Sequence, residues 1–282
     1  MNFINSISKL FSFSAEYPLS LNNGIFLLFF IVFISVYAFI YRKPSIRTLY
    51  IIAFSLFFYY KLSGWFLLLL VLTTTIDFTL AFHIAESKKN VHKRILVIVS
   101  VVINLGLLVY FKYSNFFLQN FFGKEFSTIN LLVPLGISFY TFRTLSYIID
   151  VYRHEIKPAK SFFDYLFYMT FFPLLIAGPI TRAGQFLPQI KKKFIINDAR
   201  VSRAVFLIIV GLIKKAVIAD YIGQYCNLIF DAPGTYSGLE NLFAVYGFAL
   251  QIFFDFSGYT DIAIGISKLM GFDIGINFNK PY

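Results

Sequence analysis

The chain has 282 residues, of which 58% are hydrophobic and only 14% charged, with a formal net charge of +11. Its mean hydropathy is +0.72, far from the roughly 25% charged composition of soluble domains, and this excludes an ordinary soluble globule. The basic balance comes without any nucleic-acid-binding motif, and the one cysteine, Cys226, excludes an internal disulfide framework or a CxxC metal site.

A membrane span needs about 20 mostly apolar residues. The first 20 residues do not form a convincing cleaved signal. Phe3, Ile4, Ile7, Leu10 and Phe11 instead suggest a short interfacial helix. Apolar runs then predict spans near residues 22–41, 49–60, 62–84, 95–117 and 132–151, the last broken at Pro134 and Gly136. Basic loops separate several of them: Arg42 and Lys43, then Lys88, Lys89, Lys93 and Arg94, then Arg153, Lys157 and Lys160.

The run at 162–177 is short, carries Pro173 and ends in Gly178-Pro179. Runs of this length are often re-entrant. Arg182, Lys191, Lys192, Lys193, Arg200 and Arg203 follow it. A re-entrant segment keeps this block on the same face as the other basic loops, as the positive-inside rule demands. Two further spans are predicted near 204–230 and 242–270. The expected fold is an all-α, polytopic transmembrane bundle of about seven spans plus a re-entrant segment. It forms one membrane domain over residues 1–282, with the N-terminus outside and the last residues in the cytoplasm. No internal repeat is evident.

Charged residues inside spans are costly and mark functional candidates. Here they are Asp77, Lys112, Arg143, Asp150, Lys214, Lys215, Asp220, Asp255 and Asp261. Lys112, Asp150 and Asp220 lie near span ends, where side chains snorkel or meet water. Lys214 and Lys215 could snorkel as well. Asp255, Tyr259 and Asp261 sit in the middle of the last span. Asp255 and Tyr259 share a helix face, and Asp261 points elsewhere unless Gly258 breaks the helix. Two readings stay open for these carboxylates. They do acid–base work, or they hold Lys or Arg from a neighbouring span, which is the favoured reading. His92 and His154 fall in basic loops, and His83 closes the third span. No Walker loop, GxSxG elbow, dinucleotide fingerprint or HExxH motif occurs.

Five stretches carry a resemblance. They are Leu105-Gly106-Leu107-Leu108-Val109-Tyr110-Phe111-Lys112-Tyr113; Pro134-Leu135-Gly136-Ile137-Ser138-Phe139-Tyr140-Thr141-Phe142, running on through Leu145-Ser146-Tyr147 to Asp150-Val151-Tyr152-Arg153; Phe171-Phe172-Pro173 through Ala177-Gly178-Pro179-Ile180, with Arg182 and Phe186-Leu187-Pro188-Gln189; Gly211-Leu212-Ile213-Lys214-Lys215 with Ile218-Ala219-Asp220; and Gln251 through Asp261, ending in Asn277-Phe278-Asn279-Lys280-Pro281-Tyr282. In this order they resemble the membrane-bound O-acyltransferase family, in the bacterial branch with the alginate O-acetylases.

The resemblance implies an O-acyltransferase in a bacterial cell membrane. The donor would be acetyl-CoA or another acyl thioester, with no resident cofactor and no metal. The acceptor would be an extracytoplasmic polysaccharide such as alginate or a cell-wall polymer, or an acyl carrier. Its partners would be the lipid bilayer and other proteins of a polysaccharide-acetylation complex, with no nucleic acid. The family bundle is pierced by a funnel and tunnel. Arg182, Lys214 and Lys215 are candidates to attract an anionic donor. Asp255, Tyr259 and Asp261 would line or brace the cavity, and Pro173, Gly178 and Pro179 would shape the re-entrant turn. The family's histidine block lies downstream of the Asn-Phe-Asn-x-Pro-Tyr stretch, and none of His83, His92 or His154 matches it. No catalytic residue is therefore assigned. The chain is expected to be the N-terminal part of such an enzyme and inactive alone. A transporter or flippase and a non-catalytic subunit of a polysaccharide-modifying complex are the competing readings.

Overall fold

The computed structural model describes residues 11–14, 19–122, 132–179, 181–193 and 196–276. The stretches at residues 3–10 and 277–282, with Ile180, lie outside them. Among the described residues all regular structure is helical, with no strand. In chain order the helices are α1 (Gly24–Ile40), α2 (Pro44–Ser63), α3 (Phe66–Glu86), α4 (Asn90–Leu108), α5 (Ser114–Phe122), α6 (Ile137–Tyr152), α7 (Phe162–Thr170), α8 (Ala183–Phe186), α9 (Asp198–Leu212), α10 (Asp220–Asp231) and α11 (Gly238–Leu269).

A helix satisfies every interior backbone group within itself, which suits an apolar run in lipid. Among the described residues three stretches, Phe66–Glu86, Asn90–Phe121 and Gly238–Leu269, are both long and apolar enough to cross a membrane, and Gly24–Ile40 is a shorter apolar helix. This is an all-α membrane bundle. Each of the seven runs predicted as spans contains helix. The fifth becomes helical only at Ile137, after Pro134 and Gly136. A π-helical turn, Val109–Tyr113, joins α4 to α5, and another, Ile213–Ala219, joins α9 to α10. Both turns carry lysines, Lys112 in one and Lys214 with Lys215 in the other.

The chain forms two compact units. The first holds α2 to α8. At its centre are α7 and the bent chain that follows it. Tyr165, Phe167, Tyr168, Phe171, Phe172 and Leu175 are all fully buried there. Aromatic rings from several helices close on them: Tyr147 against Tyr165 at 4.5 Å, Phe54 edge-on to Phe172 at 5.0 Å, and Phe171 against Phe186 at 5.0 Å. Such ring pairs add to the stabilisation from area burial.

The helix stops at Thr170, and Phe172–Leu174 forms a single 3-10 turn around Pro173. Ending a helix in the core leaves carbonyls without partners. Arg143 of α6 supplies them. Its guanidinium donates to the carbonyls of Tyr168 at 3.2 Å, Met169 at 3.5 Å and Leu174 at 2.5 Å. It also lies 5.7 Å over the Tyr168 ring. Arg47 of α2 serves a second bend in the same way, donating to the Ile190 and Lys192 carbonyls at 2.5 and 3.3 Å. Gly136 adopts φ +78°, and a Cβ there would run into the Leu175 carbonyl, so only glycine lets the chain entering α6 lie against the bent segment.

The first unit also buries a carboxylate. Asp77 of α3 is fully enclosed. It accepts from Ser100 Oγ at 2.6 Å and from Asn104 Nδ2 at 3.0 Å, both on α4. Ser100 and Asn104 are four apart in the apolar stretch of α4 that follows Arg94, so they share one face. That spacing was the available sequence signal for this cluster.

The second unit holds nearly all of α1 and all of α9 to α11. Phe26, Phe30, Phe33 and Tyr37 stack in succession along α1. The Tyr37 hydroxyl donates to the Met270 carbonyl at 2.5 Å, tying α1 to the end of α11.

Candidate functional site

The site is built on the antiparallel pair formed by α9–α10 and α11, within the second unit. Helix α11 starts firmly. Ser237 accepts from the Glu240 amide, and Glu240 returns a carboxylate to the Ser237 backbone N–H at 2.7 Å, a capping box. From there α11 runs unbroken from Gly238 to Leu269, so Gly258 does not interrupt it.

Gly258 instead permits close approach. A Cβ on Gly258 would sit 2.8 Å from the Gly211 carbonyl and 2.9 Å from the Lys215 amide. A Cβ on Gly211 would sit 2.6 Å from the Gly258 carbonyl. Seven residues further along α11, a Cβ on Gly265 would meet the Ala204 carbonyl at 2.6 Å, and Ala204 precedes Gly211 by seven. Gly247 lies against Cys226 Sγ at the other end of the seam. Apolar surface drives little association in lipid, where close backbone packing of small residues takes over.

The two ion pairs straddle this contact. Asp255 lies three residues before Gly258 and Asp261 three after. Lys215 donates to Asp255, and Lys214 donates to Asp261 at 2.6 Å. Adjacent lysines on a helix point in different directions, and these two reach carboxylates on either side of the Gly258 contact. The π-helical turn they occupy widens the helix at that point, a feature that recurs at functional sites. Lys215 and Asp261 side chains are 17% and 19% exposed, while Asp255 is 48% exposed. The carboxylates are thus held by cations of the neighbouring helix rather than paired with each other. Tyr259 is buried beside them on α11.

The other predicted site residues lie elsewhere on the chain. Pro173 sits in the buried 3-10 turn. Gly178 takes φ +117°, a conformation suited to glycine, and Pro179 is buried next to it. Arg182 is exposed, within electrostatic reach of Asp150 in the first unit. His83, His92 and His154 are exposed, and His154 Nε2 contacts Lys93 Nζ at 3.2 Å. Among the described residues no group of three His, Cys, Asp or Glu side chains could hold a metal. Arg47 and Arg143 were missed as carbonyl partners, because the carbonyls they serve exist only once the helices break.

An all-helical membrane protein with cations and carboxylates matched inside its helices is the class this architecture defines. No family model matches the chain. Individual relatives do. It is 33% identical over 270 residues to the peptidoglycan O-acetyltransferase of Helicobacter pylori, covering 86% of this chain and 51% of the relative. It is 33% identical over 271 residues to the probable alginate O-acetylase AlgI of Pseudomonas aeruginosa, covering 93% of this chain and 51% of that one. The teichoic acid D-alanyltransferase of Bacillus subtilis is 32% identical over 155 residues, 54% of this chain and 39% of the relative. These relatives are members of one family, and the chain belongs to it: the membrane-bound O-acyltransferases. It spans about half the length of the first two relatives.

Proposed function

We propose that this chain is part of an O-acyltransferase that acetylates hydroxyls of an extracytoplasmic polysaccharide, alginate or a cell-wall polymer, using acetyl-CoA or another acyl thioester. The observation that carries this is the third-identical match, over most of the chain, to two O-acetyltransferases named for different polysaccharides. The reaction joins the acceptor oxygen to the acyl carbon and expels the thiol. It needs a general base to take the hydroxyl proton. We assign no residue of this chain to that role, and place the base in the part of the relatives that the chain does not match.

The residues here would shape the path to the reacting atoms. Lys214 and Lys215, paired with Asp261 and Asp255, would fix the walls of a passage, with Tyr259 between them. Arg182 would draw an anionic donor to the cytoplasmic side, and Pro173, Gly178 and Pro179 would shape a re-entrant turn. The protein would sit in the bacterial inner membrane as a multi-pass protein, N-terminus outside, beside other proteins of a polysaccharide-acetylation complex.

The test uses membranes containing the 282-residue chain, radiolabelled acetyl-CoA, and peptidoglycan or alginate. No transfer is expected from the chain alone. Transfer is expected when it is joined to the portion of the Helicobacter pylori relative that it does not match. Transfer by the chain alone, lost in Asp255→Ala, would overturn the division of labour. Reporter fusions at residue 20 and residue 193 check the topology, and cytoplasmic activity of the first would contradict it.

A further inference from the structure

Two hollows open side by side in the first unit, where α2 and α7 both begin. The larger, about 530 Å³, is walled by Pro44, Thr48, Leu49, Phe163 and Ile190 among others. Its walls are largely apolar, and Leu49 and Phe163 are about half exposed, at 51% and 53%. The smaller, about 220 Å³, is bordered by Lys157, Lys160 and Lys191 and by one carboxylate, Asp164. Asp164 and Lys191 border both hollows and are paired at 2.9 Å. An apolar compartment and a basic one therefore share a wall.

The charge does not balance within the protein. Three lysines face one aspartate, and Asp164 is already engaged by Lys191. Among the described residues no carboxylate pairs with Lys157 or Lys160. Net positive charge next to half-exposed Leu49 and Phe163 matches a molecule with an anionic head and a hydrocarbon tail. A soluble anion would leave the apolar hollow unfilled. A zwitterionic lipid would bring its own cation against the lysines. The basic loops that frame both hollows belong at the headgroup level of the leaflet where positive charge concentrates, and each lysine there adds attraction to an anionic surface.

We propose that these adjoining hollows bind an anionic phospholipid, its phosphate on Lys157, Lys160 and Lys191 and the start of an acyl chain along Leu49 and Phe163. The site lies in α2, α7 and their flanking loops and does not depend on any catalytic activity of the chain.

The experiment is native mass spectrometry of the whole chain, purified in neutral detergent and titrated with phosphatidylglycerol or phosphatidylcholine. Phosphatidylglycerol should be retained about tenfold or more over phosphatidylcholine, and Lys157→Ala with Lys160→Ala should remove that preference. Lys157→Arg with Lys160→Arg should keep it, which separates charge from folding. Removing Lys88, Lys89 and Lys93, basic residues of another loop, should leave it unchanged. Equal retention of the two lipids would overturn the proposal. So would an equal loss in the Lys88, Lys89 and Lys93 variant, or displacement of the lipid by glycerol 3-phosphate at equal concentration, the mark of a soluble-anion site.

Discussion

Gly211 and Gly258 face each other so closely that a methyl group on either would press on the carbonyl of the other, at 2.6 and 2.8 Å. That separation sets the reach of everything near it. Lys214 and Lys215 cross to Asp261 and Asp255 because the backbones they leave are nearly touching. The electrostatics of the site are therefore a consequence of two missing side chains.

Gly258→Val should force the helices apart. Overpacking a close contact costs about 1–3 kcal/mol, and here both ion pairs would lengthen as well. Thermal unfolding in micelles should show a clearly lowered midpoint. Gly106 is the control, since a Cβ there meets nothing within 4 Å. Gly106→Ala should be neutral or gain about 0.5–1 kcal/mol from better helix propensity. A Gly258→Val protein as stable as its parent would contradict the seam.

The pairing of specific charges predicts a specific rescue. Asp261→Lys places two cations together and should destabilise. Adding Lys214→Asp restores an opposite pair in reversed order. Removing one partner of a fully buried pair costs about 3–5 kcal/mol. Lys214 is 28% exposed and Asp261 19%, so solvent screening should bring the loss to the lower end or below. The double-mutant cycle for Lys214 and Asp261 should show coupling of about 1 kcal/mol or more. Lys214 with Asp255 should show less. Equal coupling for both combinations would mean that the cations are interchangeable.

Much of this was readable before the structure. The apolar runs gave the helices, because a 20-residue run has no other way to satisfy its backbone in lipid. The mid-span charges of α11 and the lysines of the preceding span were visible, and so was the idea that one set holds the other. Which lysine meets which aspartate was not. Asp255 and Asp261 are six residues apart and fall on different sides of a straight helix, and only the Gly258 contact shows that Lys214 and Lys215 straddle it. Glycine weakens helices, yet α11 does not break at Gly258, since the glycine serves a neighbour's backbone instead. Arg143 was visible as a charge in a span. Its partners are two carbonyls near the helix end at Thr170 and one in the 3-10 turn beyond it, and no spacing rule connects residue 143 to that bend.

Arg143 should be irreplaceable by lysine. Its planar fork reaches carbonyls at both ends of the bend at once, Tyr168 and Leu174, and an ammonium on a flexible stem cannot reproduce that geometry. Arg143→Lys and Arg143→Met should both lose stability, because each buried carbonyl left unsatisfied costs about 1–3 kcal/mol. The measurement is the yield of folded protein in membranes, together with the micelle melting point. Wild-type yield and melting for Arg143→Lys would show that charge alone suffices.

The Asp77 cluster can be tested by removing one member or the whole polar set. Asp77 is fully enclosed and accepts from Ser100 and Asn104 across the α3–α4 contact. Asp77→Leu removes the acceptor and leaves two buried donors, at about 1–3 kcal/mol. The Asn104 amide retains the Ser100 carbonyl at 3.0 Å, so the larger share of the loss should fall on the Ser100 hydroxyl. Asp77→Asn should also be worse than wild type, because a carboxamide turns one accepting oxygen into a donor facing two donors. Removing the whole polar set, Asp77→Leu with Ser100→Ala and Asn104→Leu, should recover most of the loss, since taking away both sides of a hydrogen bond is nearly neutral. Melting of the three proteins in micelles separates the cases. If the triple variant is as unstable as the sum of its parts, the cluster does more than satisfy itself.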